Sequence, residues 1–175
     1  MPLALNNLSF IRVTQFPDIY RSKQYMTTVF DIPADEFITK LADKLEKDDN
    51  IKTPEANIFS RTSVSRENPP IQSNWWYIRC ASILRKIYLN NVIGTEKLKS
   101  MYGGKRDRGS KKYKTRAGSG TVVRRALQQL EKSGYVTKVK GKGRTLTSKG
   151  RSFLDKLSKD ILNEIKSSYP ELEKY

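Results

Sequence analysis

Apolar residues recur at intervals of three and four along four stretches of the chain, and each stretch predicts a helix. In DIPADEFITKLADKLEKDDN, Phe37, Ile38, Leu41, Ala42 and Leu45 share one stripe, so a helix is expected over about 33–47. Asp31 is a candidate cap, Pro33 suits the first turn, and Asp35 and Glu36 favour the positive end of the helix. In SNWWYIRCASILRKIYLNN, the stripe is Trp76, Cys80, Ile83, Leu84, Ile87 and Tyr88. Trp75, Arg79, Lys86 and Asn90 fall largely on another face, and the helix spans about 75–90 with Ser73 or Asn74 as cap. A short helix over 96–101 follows, capped by Thr95 and stopped by Gly103–Gly104.

The third long stripe is Val122, Val123, Ala126, Leu127 and Leu130, a helix over about 120–132. Ser119 or Thr121 marks its start, and Gly134 sits where a left-handed C-terminal cap belongs. YVTKVK and RTLT are short strand candidates around the tip Gly141–Lys142–Gly143. The last helix begins near Thr147 and turns Phe153, Leu154, Leu157, Ile161, Leu162 and Ile165 inward. Helix, glycine, two short strands with a basic tip, then a closing helix is the order of a winged helix. The fold class is therefore mainly α, a winged-helix-type helical domain with a small β-hairpin wing.

Two segments carry no such period. Residues 51–73 contain TPEANIFSR, which suits a short helix with Thr53 as cap and Pro54 at its first position. SVSRENPPIQS, broken by Pro69 and Pro70, reads as a loop. Residues 102–120, YGGKRDRGSKKYKTRAGSG, hold seven Lys or Arg against one Asp between glycines. With no apolar face to bury, this segment is expected to be an open, mobile loop that orders only on a partner.

Charge sharpens the picture. The chain has 175 residues and a formal net charge of +16, with 37% hydrophobic residues, which suffices for one modest core. Residues 99–151 hold 17 Lys and Arg against Asp107 and Glu131, so this third carries +15 of the total. A solvated surface would mix signs. A field this one-sided attracts a polyanion, nucleic acid first and an anionic membrane second. No apolar run reaches membrane-spanning length.

Catalysis is poorly served. There is no His, and the one Cys, Cys80, falls on a helix stripe and is expected to be buried and inert. A zinc site lacks its ligands, and the acids sit at helix ends rather than in pairs. GKGRTLTSKG has glycines and bases but belongs to a hairpin, not to a strand–loop–helix phosphate motif. The expectation is a protein that is not an enzyme and has no cofactor, metal or small-molecule substrate.

Four groups of residues are candidates for contact with a polyanion. Lys105, Arg106, Arg108, Lys111, Lys112, Lys114 and Arg116 form the loop clamp, with Tyr113 available to stack on an unpaired base. Arg124 and Arg125 lie near a helix N-terminus. At the wing, Lys142 and Arg144, with Lys138 and Lys140, can touch a neighbouring backbone or simply protect an exposed edge. Trp75 beside Arg79 can stack on a base or be a partly buried aromatic with a cationic neighbour.

NWWYIRCASILRKIYL, MYGGKRDRG, GSGTVVRRALQQLEKSGYV and GKGRTLTSKGRSFLD stand in this order over about 27–165. Together they resemble the archaeal and eukaryotic small-subunit ribosomal proteins numbered nineteen, the e-type. The resemblance implies a winged-helix-type protein that binds ribosomal RNA in the head of the small subunit and is needed for its maturation. It also implies neighbouring ribosomal proteins as partners and a cytoplasmic ribosome as the location, with nucleolar passage in a eukaryote. The tryptophan helix and the basic loop would face the RNA, which points to Trp75, Arg79 and Arg85 together with the loop bases, Arg124 and Arg125. Family members begin near the position of Met26. Residues 1–26 are thus expected to be an extension or translated upstream sequence rather than a transit peptide, residues 27–168 a single domain, and 169–175 a short tail. The alternative is a winged-helix DNA-binding regulator, for which Gln128 and Gln129 are the base-reading candidates.

Overall fold

The computed structural model describes residues 27–55 and 59–168. The readings for the N-terminal extension, for the middle of TPEANIFSR and for the C-terminal tail lie outside them. The described helices are α1 (Ala34–Glu46), α2 (Trp75–Asn90), α3 (Thr95–Met101), α4 (Gly120–Lys132) and α5 (Ser148–Ser168). Each long helix lies within one or two residues of the range its stripe predicts. Two antiparallel hairpins complete the fold, β1 (Gly104–Arg108) with β2 (Lys111–Arg116), and β3 (Val136–Val139) with β4 (Gly143–Leu146).

The stripes become the core. Phe37, Leu41 and Leu45 of α1 are fully buried with Trp76, Cys80, Ile83, Leu84 and Ile87 of α2. Val122, Val123, Ala126, Leu127 and Leu130 of α4 and Leu154, Leu157 and Ile161 of α5 join the same cluster. Each large side chain removed from water here contributes about 1.5–3 kcal/mol. α2 is the centre of the packing and touches α1, α4 and β4. α5 closes the bundle against α1, where Lys40 pairs with Glu164 and Lys44 with Asp160.

Local chemistry sets the boundaries. Asp31 does not cap α1. Its carboxylate accepts from the Thr28 backbone N–H at 2.7 Å and its hydroxyl at 3.0 Å, closing a 3-10 turn over Val29–Asp31. Pro33 is the cap residue of α1, and Thr95 is the first helical residue of α3 after Gly94. Ser119 caps α4 by accepting from the Val122 N–H. Gly134 follows α4 at φ 76°, as its position implied.

The wing is the expected hairpin, mainly α architecture with small β elements attached. β3 pairs β4 from Val136–Leu146 to Val139–Gly143. Ile93, in the link between α2 and α3, exchanges two backbone hydrogen bonds of 3.0 Å with Arg144, fastening the wing to the helices.

The basic segment is the main correction. It is a paired ribbon, not an open loop. β1 and β2 run antiparallel from Gly104–Arg116 to Arg108–Lys111. Gly109 takes φ 65° at the first central position of the two-residue turn, the position where a type II′ hairpin turn needs glycine. The Asp107 carboxylate accepts from the Gly109 N–H at 2.8 Å and fixes that turn. Backbone pairing, which needs no apolar face, is what orders the segment.

Candidate nucleic-acid interface

The ribbon buries almost nothing. Every residue from Lys105 to Ala117 is exposed, and seven of them are Lys or Arg. Its root is held closely. Gly118 donates to the Lys99 carbonyl at 2.8 Å, and Ser119 donates to the Thr62 carbonyl at 2.9 Å. Ser63, buried in the 59–74 loop, forms an isolated bridge with Gly118. A Cβ on Gly118 would stand 2.8 Å from the Tyr102 carbonyl oxygen, so glycine is what lets the two stems approach. The ribbon therefore leaves the domain in a set direction, from the joint of α3, α4 and the 62–66 loop.

Two further cations reach that joint. Tyr102 ends α3, and the Arg79 guanidinium lies over its ring at 4.1 Å. The Lys86 ammonium lies over the same ring at 3.5 Å. The Tyr102 hydroxyl donates to Ser82 Oγ at 2.9 Å, which holds the ring against α2. Burial lowers the pKa of Arg79, and the charge of Arg66 adds to the effect. Burial also lowers that of Lys86, helped by Arg79. Neither forms an ion pair with a carboxylate among the described residues. Half-buried cations without an acid favour an arriving anion, which would restore their stability as charged groups. Lys86 and Tyr102 were not among the sequence candidates. The spacing of Arg79 and Lys86, two helical turns apart, was the signal that could have found them.

The remaining candidates are scattered. Arg124 is exposed in the first turns of α4, beside the ribbon root, and Arg125 is half-buried on the same helix. Arg85 is half-buried on α2, and its Nε is buried with no hydrogen-bond partner. Trp75 is not at an exposed edge. It is 9% exposed, with its ring edge-on to Trp76 at 5.4 Å. Trp76 is buried in the core, whereas residues of the 62–72 loop lie on the Trp75 side of α2 and leave a cleft of about 630 Å³ that Trp75, Arg79 and Tyr102 help to line. Trp75 therefore leaves little of its ring open to solvent.

Arg144 is not at the wing tip either. Its guanidinium is paired with Glu131 at the end of α4, and its side chain is mostly buried. Lys142 is exposed at the tip. The wing begins at the C-terminal end of α4 and the ribbon ends at its N-terminus. The two roots are thus separated by a helix of 13 residues, about 20 Å. Of the two glutamines on α4, Gln129 is engaged. It accepts from Trp76 Nε1 at 2.8 Å and donates to the Lys52 carbonyl at 2.7 Å, leaving only Gln128 exposed. Among the described residues no cluster of three or more potential metal ligands occurs, and no helix is long and apolar enough to cross a membrane.

These features define a basic winged-helix-type protein with a cationic β-ribbon added ahead of its third core helix. The sequence model of the family described as "Ribosomal protein S19e" matches residues 28–164. The chain belongs to that family. It is 43% identical over 152 residues to the small ribosomal subunit protein eS19 of Aeropyrum pernix, covering 86% of this chain and 99% of the relative. It is 41% identical over 155 residues to the protein of the same name from Haloarcula marismortui, with the same coverage of both chains. A eukaryotic relative of that name, from Entamoeba histolytica, is 37% identical over 140 residues, covering 80% of this chain and 90% of the relative.

Proposed function

We propose that this chain is a structural constituent of the small ribosomal subunit that holds ribosomal RNA, with neighbouring ribosomal proteins as further partners. The observation that carries the reading is the ribbon. Seven exposed cations stand on a hairpin with no core, aimed from a rigid root beside the N-terminus of α4 and the Arg79–Tyr102–Lys86 stack. Such a surface gains its binding free energy from phosphates and released counterions, with little sequence readout. Family membership supports the ribosome as its location, and the family resemblance supports a place in the subunit head and a need for the protein in subunit maturation. The cations available to RNA are then those of the ribbon, Lys105, Arg106, Arg108, Lys111, Lys112, Lys114 and Arg116, of which one face need make the contact, together with Arg79, Arg85 and Arg124. Arg125 and Lys142 lie at its margin. Trp75 and Arg144 serve by holding the surface and the wing in place.

The test is sedimentation of tagged protein from a cell lysate on a sucrose gradient at moderate and at high salt. Co-migration with small subunits at both salts is expected. Migration at the top of the gradient at both salts would remove this reading and leave a DNA-binding regulator as the better one.

A further inference from the structure

The two faces of the ribbon are not equivalent. Cross-strand partners share a face and alternate residues change face. The register pairs Gly104 with Arg116, Arg106 with Lys114 and Arg108 with Lys111. These positions fall on one face and give it five cations and no acid. The other face holds Lys105 opposite Thr115, then Asp107. The register shift between Arg106 and Arg108 places Lys112 and Tyr113 together against Asp107. That face has two cations, one acid and the ribbon's aromatic residue.

Like charges directly opposite each other destabilise a strand pair. Arg106–Lys114 and Arg108–Lys111 are two such pairs in succession. The single acid within reach does not relieve them, because Asp107 lies on the other face and its carboxylate is occupied by the turn. The arrangement therefore opposes the ribbon's own pairing unless a line of negative charge covers one side of it. The occupant follows from what this face lacks. Protein interfaces have an apolar or aromatic centre, and here there is none. A phosphate backbone requires only charge and hydrogen-bond donors, which Arg and Lys supply at intervals of about 6.7 Å along each strand.

We propose that the Arg106–Arg108–Lys111–Lys114–Arg116 face lies along the phosphate backbone of RNA, and that the Lys105–Lys112–Tyr113 face is turned away from it. This rests on the RNA-binding reading above and gives it a direction. The ribbon is a one-sided rail rather than a charged arm that binds from all sides.

The test compares two full-length double variants that each remove two charges, Arg106→Gln with Lys114→Gln, and Lys105→Gln with Lys112→Gln. Binding to deproteinised small-subunit ribosomal RNA is measured across a range of salt concentrations, with thermal midpoints recorded alongside. All four residues are exposed, so the midpoints should match the parent. The first pair is expected to lower the slope of log affinity against log salt by about 1.4–1.8, at roughly 0.7–0.9 for each phosphate no longer neutralised. The second pair is expected to lower it by less than about 0.5. Equal reductions, or a reduction confined to the second pair, would overturn the proposal. No change in either, with the parent still binding, would mean that the ribbon meets something other than RNA. A parent protein with no salt-dependent binding at all would instead bring down the RNA reading itself.

Discussion

Single residues here divide into those that hold the surface and those that offer it. Gln129 belongs to the first kind. It satisfies the indole N–H of Trp76, a fully buried side chain, and ties the Lys52 backbone to α4. Replacing Gln129 with Ala leaves a buried donor without a partner. A loss of about 1–3 kcal/mol in chemical denaturation is expected, with the salt dependence of RNA binding unchanged. A loss below about 0.5 kcal/mol would show that water or another group takes over the bond. Roles of this sort were hard to read from sequence. Gln129 looked like a base-reading residue, and Arg144 like a wing-tip contact. Their partners, Trp76 and Glu131, lie on other elements or turns, and no local pattern announces them. Trp75 was misplaced for a related reason. Helical spacing put it off the apolar stripe, but the irregular 62–72 loop covers that side. Cys80, lying squarely on the stripe, was legible. It is buried, and burial pushes its pKa up to about 12.

At the scale of elements, the long helices were legible because each buries a stripe at helical spacing. The ribbon was not, because both of its faces are polar. Its one local clue was Arg108–Gly109–Ser110–Lys111, since glycine followed by a polar residue is a hairpin turn signal even without apolar flanks. The contacts between elements also carry a pH dependence. Tyr88 of α2 donates to Asp155 of α5 at 2.7 Å. Burial and this bond raise its pKa from 10 to about 12. Tyr135, at the start of the wing, donates to Asp48 after α1 at 2.7 Å, and burial and that bond shift it the same way. The folded state thus prefers both phenols protonated. Their contribution is intact below pH 10 and is lost as pH rises towards 12, when phenolate would face carboxylate. The thermal midpoint is expected to fall steeply between pH 10 and 12. Tyr88→Phe should flatten that fall while lowering the midpoint at pH 8. An identical profile for variant and parent would mean that the Tyr88–Asp155 bond does not link α2 to α5 in solution.

For the whole molecule, the sequence showed one basic third and a balanced remainder. The structure distributes that third over the ribbon, α4 and the wing, while α1 and α5 carry opposite charges paired with each other. The core and the charge are therefore built from different residues. Replacing Lys105–Thr115 with a short Gly-Ser link should leave the thermal midpoint within about 2 °C of the parent, because a change below about 0.5 kcal/mol moves it no further. The same replacement should abolish most of the salt-dependent affinity for ribosomal RNA. A drop of more than about 5 °C would show that the ribbon supports the core after all.

The bare surface of the ribbon also bears on how variants of this protein would be recognised. A screen that scores how much protein accumulates in cells would pass substitutions along Lys105–Arg116 as harmless, since nothing there is needed to escape degradation. The same substitutions would emerge only in a screen of growth or of subunit yield. The opposite holds for Phe37, Trp76 or Leu127, where abundance itself would fall. The two kinds of damage would separate cleanly along the chain.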